Sequence, residues 1–211
     1  MKKRKLKGDH IYIVERSIAE MEALRDAEEI PELREAYSEM LTGMKKEPKK
    51  SYWYCDWAVY HKDGTLVGGI GFKGPPDKDG LVEIGYGISE EYQRHGYGSE
   101  AVKLMARWAM FQWGVKGVWA QTEPDNAASQ GLLLKCGFAP DGEAEEGPRY
   151  SYTGEGSTNW VPIFMCIGIS VGSAIGSARG NTGLGMSMGL CIGLLWGAVL
   201  TNMQHGKGKK K

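Results

Sequence analysis

The chain has 211 residues, enough for one full hydrophobic core with length to spare, and its Lys+Arg and Asp+Glu counts are equal at 26 each. A chain without net charge has no global field to gather nucleic acid or acidic substrates. Cys55, Cys136, Cys166 and Cys191 form no CxxC pair and no metal-ligand spacing, a pattern of reduced cytosolic thiols that leads to no expected metal site.

The basic start, MKKRKLK, runs into GDHIYIVERS rather than an apolar stretch, so it lacks the form of a secretory signal. HIYIVERS alternates apolar and polar residues and reads as a strand. Helical periodicity runs from Ile18 to about Met44, with Pro31 dividing it into two pieces. YWYCDWAVYH reads as a strand, KDG as a hairpin turn and TLVGGIGFKG as the partner strand. After PPDKDG, LVEIGYGIS is the third member of this meander, with Val82, Ile84, Tyr86 and Ile88 on one face.

Next comes EEYQRHGYGSEAV, with Gly96 and Gly98 set between an extended run and a helix. The helix has an apolar face of Val102, Met105, Ala109 and Trp113 and stops at Gly114. GVWAQTE is a short strand, Asn126 to Lys135 a helix closed by Gly137, and FAPDGEAEEGPRYSYT two further strands. This order implies an α/β (α+β) fold, a mixed central sheet flanked by helices.

Glycine at a helix start is unfavourable relative to alanine, so two of them suggest backbone amides brought close to a ligand. Unpaired first-turn amides and the helix dipole both favour anionic oxygen there. A dinucleotide fold would need parallel strands around the loop, and GxxxxGK[ST] is missing, so neither of those phosphate sites fits.

Composition changes near Trp160. No charged residue lies between Val161 and Ala178 or between Asn181 and Met203. The expected organisation is a catalytic domain over 1–155, a linker over 156–159, a helical hairpin over 160–203 and a basic tail over 204–211. Gly168, Gly172, Gly176 and Gly180, then Gly185, Gly189, Gly193 and Gly197, recur every four residues and so share one face of each helix. The pattern resembles glycine-zipper segments of membrane proteins. Each arm is long enough to cross a bilayer, and the basic KGKKK end fits a hairpin with both ends cytoplasmic. A soluble zipper that self-associates or folds onto the first domain is the alternative.

QRHGYGSEA, Gln93 to Ala101, resembles the Q/R-x-x-G-x-G/A loop of the GNAT superfamily of N-acetyltransferases. TEPDNAASQGLLLKCGF, Thr122 to Phe138, resembles that superfamily's next motif, an N-x-x-S segment running into K-x-G-F. The spacing and element order agree over residues 10–153, and the most similar branch contains the ribosomal-protein N-terminal acetyltransferases. The resemblance implies acetyl-CoA as co-substrate. Its pyrophosphate would sit on the amides from Arg94 through His95, Gly96, Tyr97 and Gly98 to Ser99, with Gln93, Arg94 and the Ser99 hydroxyl beside it. The pantetheine arm would run along Gly87, Ile88 and Ser89, and Asn126 would touch it.

No Ser-His-Asp or Cys-His pattern suggests an acyl-enzyme, so direct attack by an amine in a ternary complex is expected. The superfamily often carries a tyrosine seven residues after the helix asparagine, as acid for the leaving thiolate. Here that position is Leu133. In the matching branch a serine three residues after the asparagine meets the thiolate, which implies Ser129, on the same helix face as Asn126. Tyr86, Tyr92 and Tyr97 are candidate replacements for the missing tyrosine, with nothing in the sequence to choose among them. Glu83 is the first candidate base and Glu123 the second. YWYCDW and the helices from Ile18 to Met44 would line the acceptor side by the same resemblance. A peptide N-terminus, a lysine, a polyamine and an antibiotic amine all stay open as acceptor. Leu133 keeps a second class open too, a non-catalytic acetyl-CoA-binding sensor or scaffold that acts through the tail.

Overall fold

The computed structural model describes residues 3–154, 160–178 and 180–206, which divide into two compact units after Gly154. The linker expected over 156–159 and residues 207–211 of the basic tail lie outside the described residues.

In the first unit, β1 (Lys5–Lys7) and β2 (Ile11–Glu15) lead into α1 (Ile18–Ala27) and α2 (Pro31–Lys46). Ser17 caps α1 by a capping box with Glu20, and Pro31 opens α2 at its first turn, where the missing N–H has no helical partner to lose. The meander is β3 (Asp56–His61), β4 (Leu66–Phe72) and β5 (Leu81–Ile88). Then come α3 (Tyr97–Met110), β6 (Gly117–Gln121), α4 (Ala127–Lys135), β7 (Ala139–Ala144) and β8 (Gly147–Tyr152). The strands form one eight-stranded sheet in the order β1-β2-β3-β4-β5-β6-β8-β7. Every pairing is antiparallel except β5 with β6.

That parallel pairing is short. Leu81–Glu83 face Gly117–Trp119, whereas Ile84–Ile88 pair with β4 alone. The sheet therefore opens between β5 and β6 at the end where β5 finishes.

Two expectations need correction, and one strand was not anticipated. The strand read over YWYCDWAVYH begins only at Asp56, because Pro48–Trp53 forms a 3-10 turn. Its aromatics are drawn into the core instead: Trp53 lies 5.0 Å from Phe72 and 5.5 Å from Trp108. Trp113 is 99% exposed rather than part of the α3 core face, since α3 ends at Met110 and the chain turns at Gly114, φ 88°. Val102, Met105 and Ala109 are buried on that face as expected. β1, three residues with two lysines, is an added edge strand.

In the second unit α5 (Trp160–Ala178) and α6 (Thr182–Gly206) pack against each other, joined by a turn in which Gly180 has φ 72° and Asn181 Oδ1 accepts from the Leu184 amide at 3.1 Å. A Cβ on Gly168 would strike the Gly189 carbonyl, one on Gly172 the Gly185 carbonyl, and one on Gly193 the Phe164 carbonyl. The two backbones thus touch through glycine. The large side chains Ile167, Val171, Ile175, Leu184, Ile192 and Leu195 are turned outward and exposed.

Leu133 is fully buried, so Leu133→Ala is expected to destabilise the first unit by about 2–5 kcal/mol. Trp113→Ala should change it by less than about 0.5 kcal/mol. Urea unfolding of the full chain followed by circular dichroism separates the two.

Candidate active site

Two clefts, each of about 570 Å³, meet at the open end of β5 and share Tyr86, Gly87 and Ile88 in their linings. That volume suits a small-molecule site.

The first cleft is built by the loop into α3 and the first turn of α4. Gln93 Nε2 donates to the Ile88 carbonyl at 3.0 Å, which ties the loop to the end of β5. Arg94 (φ 63°) and Gly96 (φ 87°) are both left-handed, and together they reverse the chain so that α3 starts at Tyr97. Gly96 offers no side-chain cap, so the first-turn amides of α3 remain available to a ligand. The two glycines act differently. Gly96 is needed for its backbone angle, with open space where a Cβ would stand. Gly98 lies in close packing, where a Cβ would stand 3.0 Å from Leu132 Cδ1 and 3.4 Å from Ile88 Cγ1 and those side chains would have to give way.

On the α4 side, Asn126 Oδ1 accepts from the Ser129 amide at 3.0 Å and caps the helix. This fixes the first turn and sets Ser129 Oγ 2.7 Å from Tyr86 Oη, across from β5. Burial pushes the Tyr86 phenol above its ordinary value, against the opposing pull of the Ser129 hydrogen bond. Two hydroxyls therefore stand where the clefts join, and both keep their protons at neutral pH.

Residues 12–139 match the family model described as the acetyltransferase (GNAT) domain. The chain belongs to the GNAT acetyltransferase family. It is 36% identical over 100 residues to an uncharacterized N-acetyltransferase, YjdG, of Bacillus subtilis, across 47% of this chain and 60% of that protein's length. The fold is similar to that of the ribosomal-protein-S5-alanine acetyltransferase of Vibrio fischeri, with TM-score 0.57 and 16% identity over 71% of this chain and 96% of that one. It is equally similar to RimL, a ribosomal L7/L12 α-N-protein acetyltransferase solved with coenzyme A, with TM-score 0.57 and 13% identity over 71% of this chain and 98% of that one. The family match ends at Ala139, before α5 and α6.

Within this GNAT domain, Gln93, Arg94, Gly96, Tyr97, Gly98, Ser99, Ile88, Asn126 and Ser129 all line the first cleft. His95 does not: its ring stacks on Tyr97 with centroids 5.6 Å apart, and Nδ1 meets the Gln93 carbonyl at 2.7 Å. Ser89 lines the second cleft rather than the first. Of the three tyrosines, Tyr92 and Tyr97 line the first cleft alone, and Tyr86 lines both. The candidate bases sit elsewhere. Glu83 Oε1 is held 2.7 Å from Lys73 Nζ and 3.0 Å from Gln121 Nε2, and lines neither cleft. Glu123 is exposed after β6, where its carbonyl accepts from the Asn126 amide at 3.1 Å.

The carboxylate inside the second cleft is Asp56, paired with Arg16. Burial pushes its carboxyl up to about 6 against the opposing pull of Arg16. Sequence reading passed over it because it stands among aromatics that look like core. The available signal was an acid directly before Trp57, in a strand otherwise apolar.

Gly96→Ala places a Cβ in a left-handed position and should cost about 1–2 kcal/mol, whereas Arg94→Gly should shift stability by less than about 1 kcal/mol. Urea unfolding midpoints of the two variants check the difference.

Proposed function

We propose that the chain is an N-acetyltransferase that moves the acetyl group of acetyl-CoA to a primary amine by direct attack. The observation that carries this reading is the Tyr86–Ser129 hydroxyl pair, 2.7 Å apart at the junction of the two clefts. The first cleft suits acetyl-CoA. Uncapped amides at the start of α3 take the phosphates, and the unpaired side of β5 near Gly87 and Ile88 takes the amide groups of the arm. The amine approaches through the second cleft.

Attack forms the C–N bond and gives a tetrahedral intermediate with a positive nitrogen. On collapse the C–S bond breaks and its electron pair leaves on sulfur. Ser129 and Tyr86 donate a hydrogen bond and then a proton to the sulfur, and the proton shed by the nitrogen restores the pair. A half-buried tyrosine on the sheet thus does from β5 what the family often does from α4, where this chain has the core residue Leu133.

The second unit reads as a membrane hairpin. Gly168, Gly172, Gly176, Gly185, Gly189 and Gly193 face the opposite helix, and large apolar side chains face outward. Ile163–Ala178 of α5 is a shorter apolar stretch, and among the described residues Thr182–Val199 is the one span long and apolar enough to cross a membrane, with a mean hydropathy of 1.5 over 18 residues. A helix of that length spans about 27 Å, close to a hydrocarbon core of about 30 Å. We read the tail as tethering the catalytic domain to the cytoplasmic face of a bilayer.

Full-length protein in mild detergent should release CoA thiol from acetyl-CoA only when an amine is present. Tyr86→Phe and Ser129→Ala should each lower kcat by about 100-fold or more, with KM for acetyl-CoA unchanged. Tight acetyl-CoA binding without amine-dependent release would replace this reading with that of a non-catalytic sensor. Separately, the protein expressed in cells should sediment with membranes; recovery in the supernatant would overturn the tether.

A further inference from the structure

The floor of the second cleft has almost no side chains. Gly69 faces Gly87 and Gly71 faces Gly85 across β4 and β5, and on the other side of β4 the partners of Gly69 and Gly71 are Ala58 and Asp56. Directly paired residues share one face of a sheet, so this face is a strip of bare backbone running from β3 to the open edge of β5. A Cβ on Gly85 or on Gly87 would meet nothing within 4 Å, so the space above them is open. A Cβ on Gly69 would collide with the Asp56 carboxylate, which therefore lies over the β3 end of the strip.

The chemistry differs between the two ends. At the β5 end stand Tyr86, Gly87 and Ile88, shared with the acetyl-CoA cleft. At the β3 end is one carboxylate, with Asp56 Oδ2 on Arg16 and Oδ1 the atom nearest Gly69. Leu24, Leu33 and Met40 supply apolar walls between them. Lys73 also lines the cleft, but its charge is taken up by Glu83 at 2.7 Å and Glu146 at 3.4 Å. From β3 to β5 is two strand spacings, roughly 10 Å.

We infer that the acceptor is a linear aliphatic oligoamine, whose distal ammonium is seated on Asp56 while its other nitrogen reaches the acetyl group beside Tyr86. This rests on the acetyltransferase reading and names the substrate class for it. A glycine floor leaves room for an unbranched methylene chain, the apolar walls cover it, and Asp56 Oδ1, the oxygen not held by Arg16, supplies an acceptor where a second nitrogen falls. A monoamine of the same length gains the walls and loses the ion pair. Arg16 sets the orientation of Asp56, so Oδ1 rather than Oδ2 takes the ammonium. The charged and titratable groups around Asp56 are Arg16 after β2, Tyr37 of α2 and Cys55 beside it, with Lys73 in the same cleft. With its carboxyl raised to about 6, Asp56 is charged at neutral pH and loses its hold on a cation as the pH falls through that value.

The test compares hexylamine with the diamine of the same chain length, using full-length protein in mild detergent, acetyl-CoA and thiol release. Wild type should favour the diamine by about tenfold or more in kcat/KM, as expected for one charge-assisted contact. The preference should fade below pH 6. Asp56→Asn should erase it by raising KM for the diamine, with acetyl-CoA binding little changed. Gly85→Val enters open space, so it should fold even if Asp56→Asn does not, and it should raise KM for the diamine by blocking the strip. Equal kcat/KM for the two amines in wild type overturns the inference, as does an intact diamine preference in Asp56→Asn. Wild-type diamine KM retained in Gly85→Val overturns it as well. A wild type that binds acetyl-CoA and releases no thiol with any amine is the different failure, that of the acetyltransferase reading itself.

Discussion

The parting of β5 from β6 is the constraint on which the site depends. Three residues of each strand pair in parallel, and beyond Glu83 the edge of β5 facing β6 has no strand beside it. A sheet interior does not normally leave backbone donors and acceptors unmatched. Here the gap is bordered by the start of α3 and the start of α4, two places where helix geometry also leaves amides over. Unsatisfied backbone from three elements converges on one opening, and a ligand rich in phosphate and amide groups matches it. The same opening lets Tyr86 reach across to Ser129. Had the pairing run on to Ile88, the sheet would be more regular and the site would be closed.

Glycine appears three times around this opening with three physical purposes. Gly96 supplies a backbone angle that other residues adopt only under strain, Gly98 supplies close packing against Leu132, and the pairs on β4 and β5 supply an absent wall. Only the last kind leaves an open cleft floor, and it carries a stability penalty, because glycine weakens a strand through backbone entropy and lost packing. β4 and β5 compensate with their alternate residues: Val67, Ile70, Phe72, Val82 and Ile84 are all buried on the α3 side. Each strand is thus half core and half cleft floor, and alternation along the chain keeps the two apart.

How much of this was legible follows from how local each feature is. The loop motif and the helix from Asn126 encode their own geometry within a few residues, so both could be read directly. Periodicity also gave β2, α3 and the meander. It failed where tertiary contacts decide. Tyr52–Cys55 has strand-like composition but lies in and after the 3-10 turn, with Trp53 packed against Trp108 and Phe72, and the apolar spacing of α3 runs past its end to an exposed Trp113. β1 is too short to show a period. The site residues divide in the same way. Tyr86 and Ser129 are 43 positions apart, and Arg16 and Asp56 are 40 apart, so neither pair leaves any mark on local sequence. The two G-x-G repeats, Gly69-x-Gly71 and Gly85-x-Gly87, are visible in the sequence, but their meaning appears only once their register is known.

The glycine contacts between α5 and α6 have a thermodynamic consequence. The first unit buries Ile, Val, Met and Trp side chains away from water, so its unfolding should carry the positive heat-capacity change of newly hydrated apolar surface, and its stability should pass through a maximum with temperature. In the α5–α6 contact the mated surfaces are backbone and Cα, with little side chain to hydrate, while the hydrocarbon groups stay outside whether or not the helices touch. Separation of that pair is governed by dispersion and weak Cα–H···O contacts and should have almost no heat-capacity signature. One polypeptide therefore contains two units that respond to temperature by different laws. Cold, which weakens the hydrophobic core of the first, leaves the packing of the second essentially untouched.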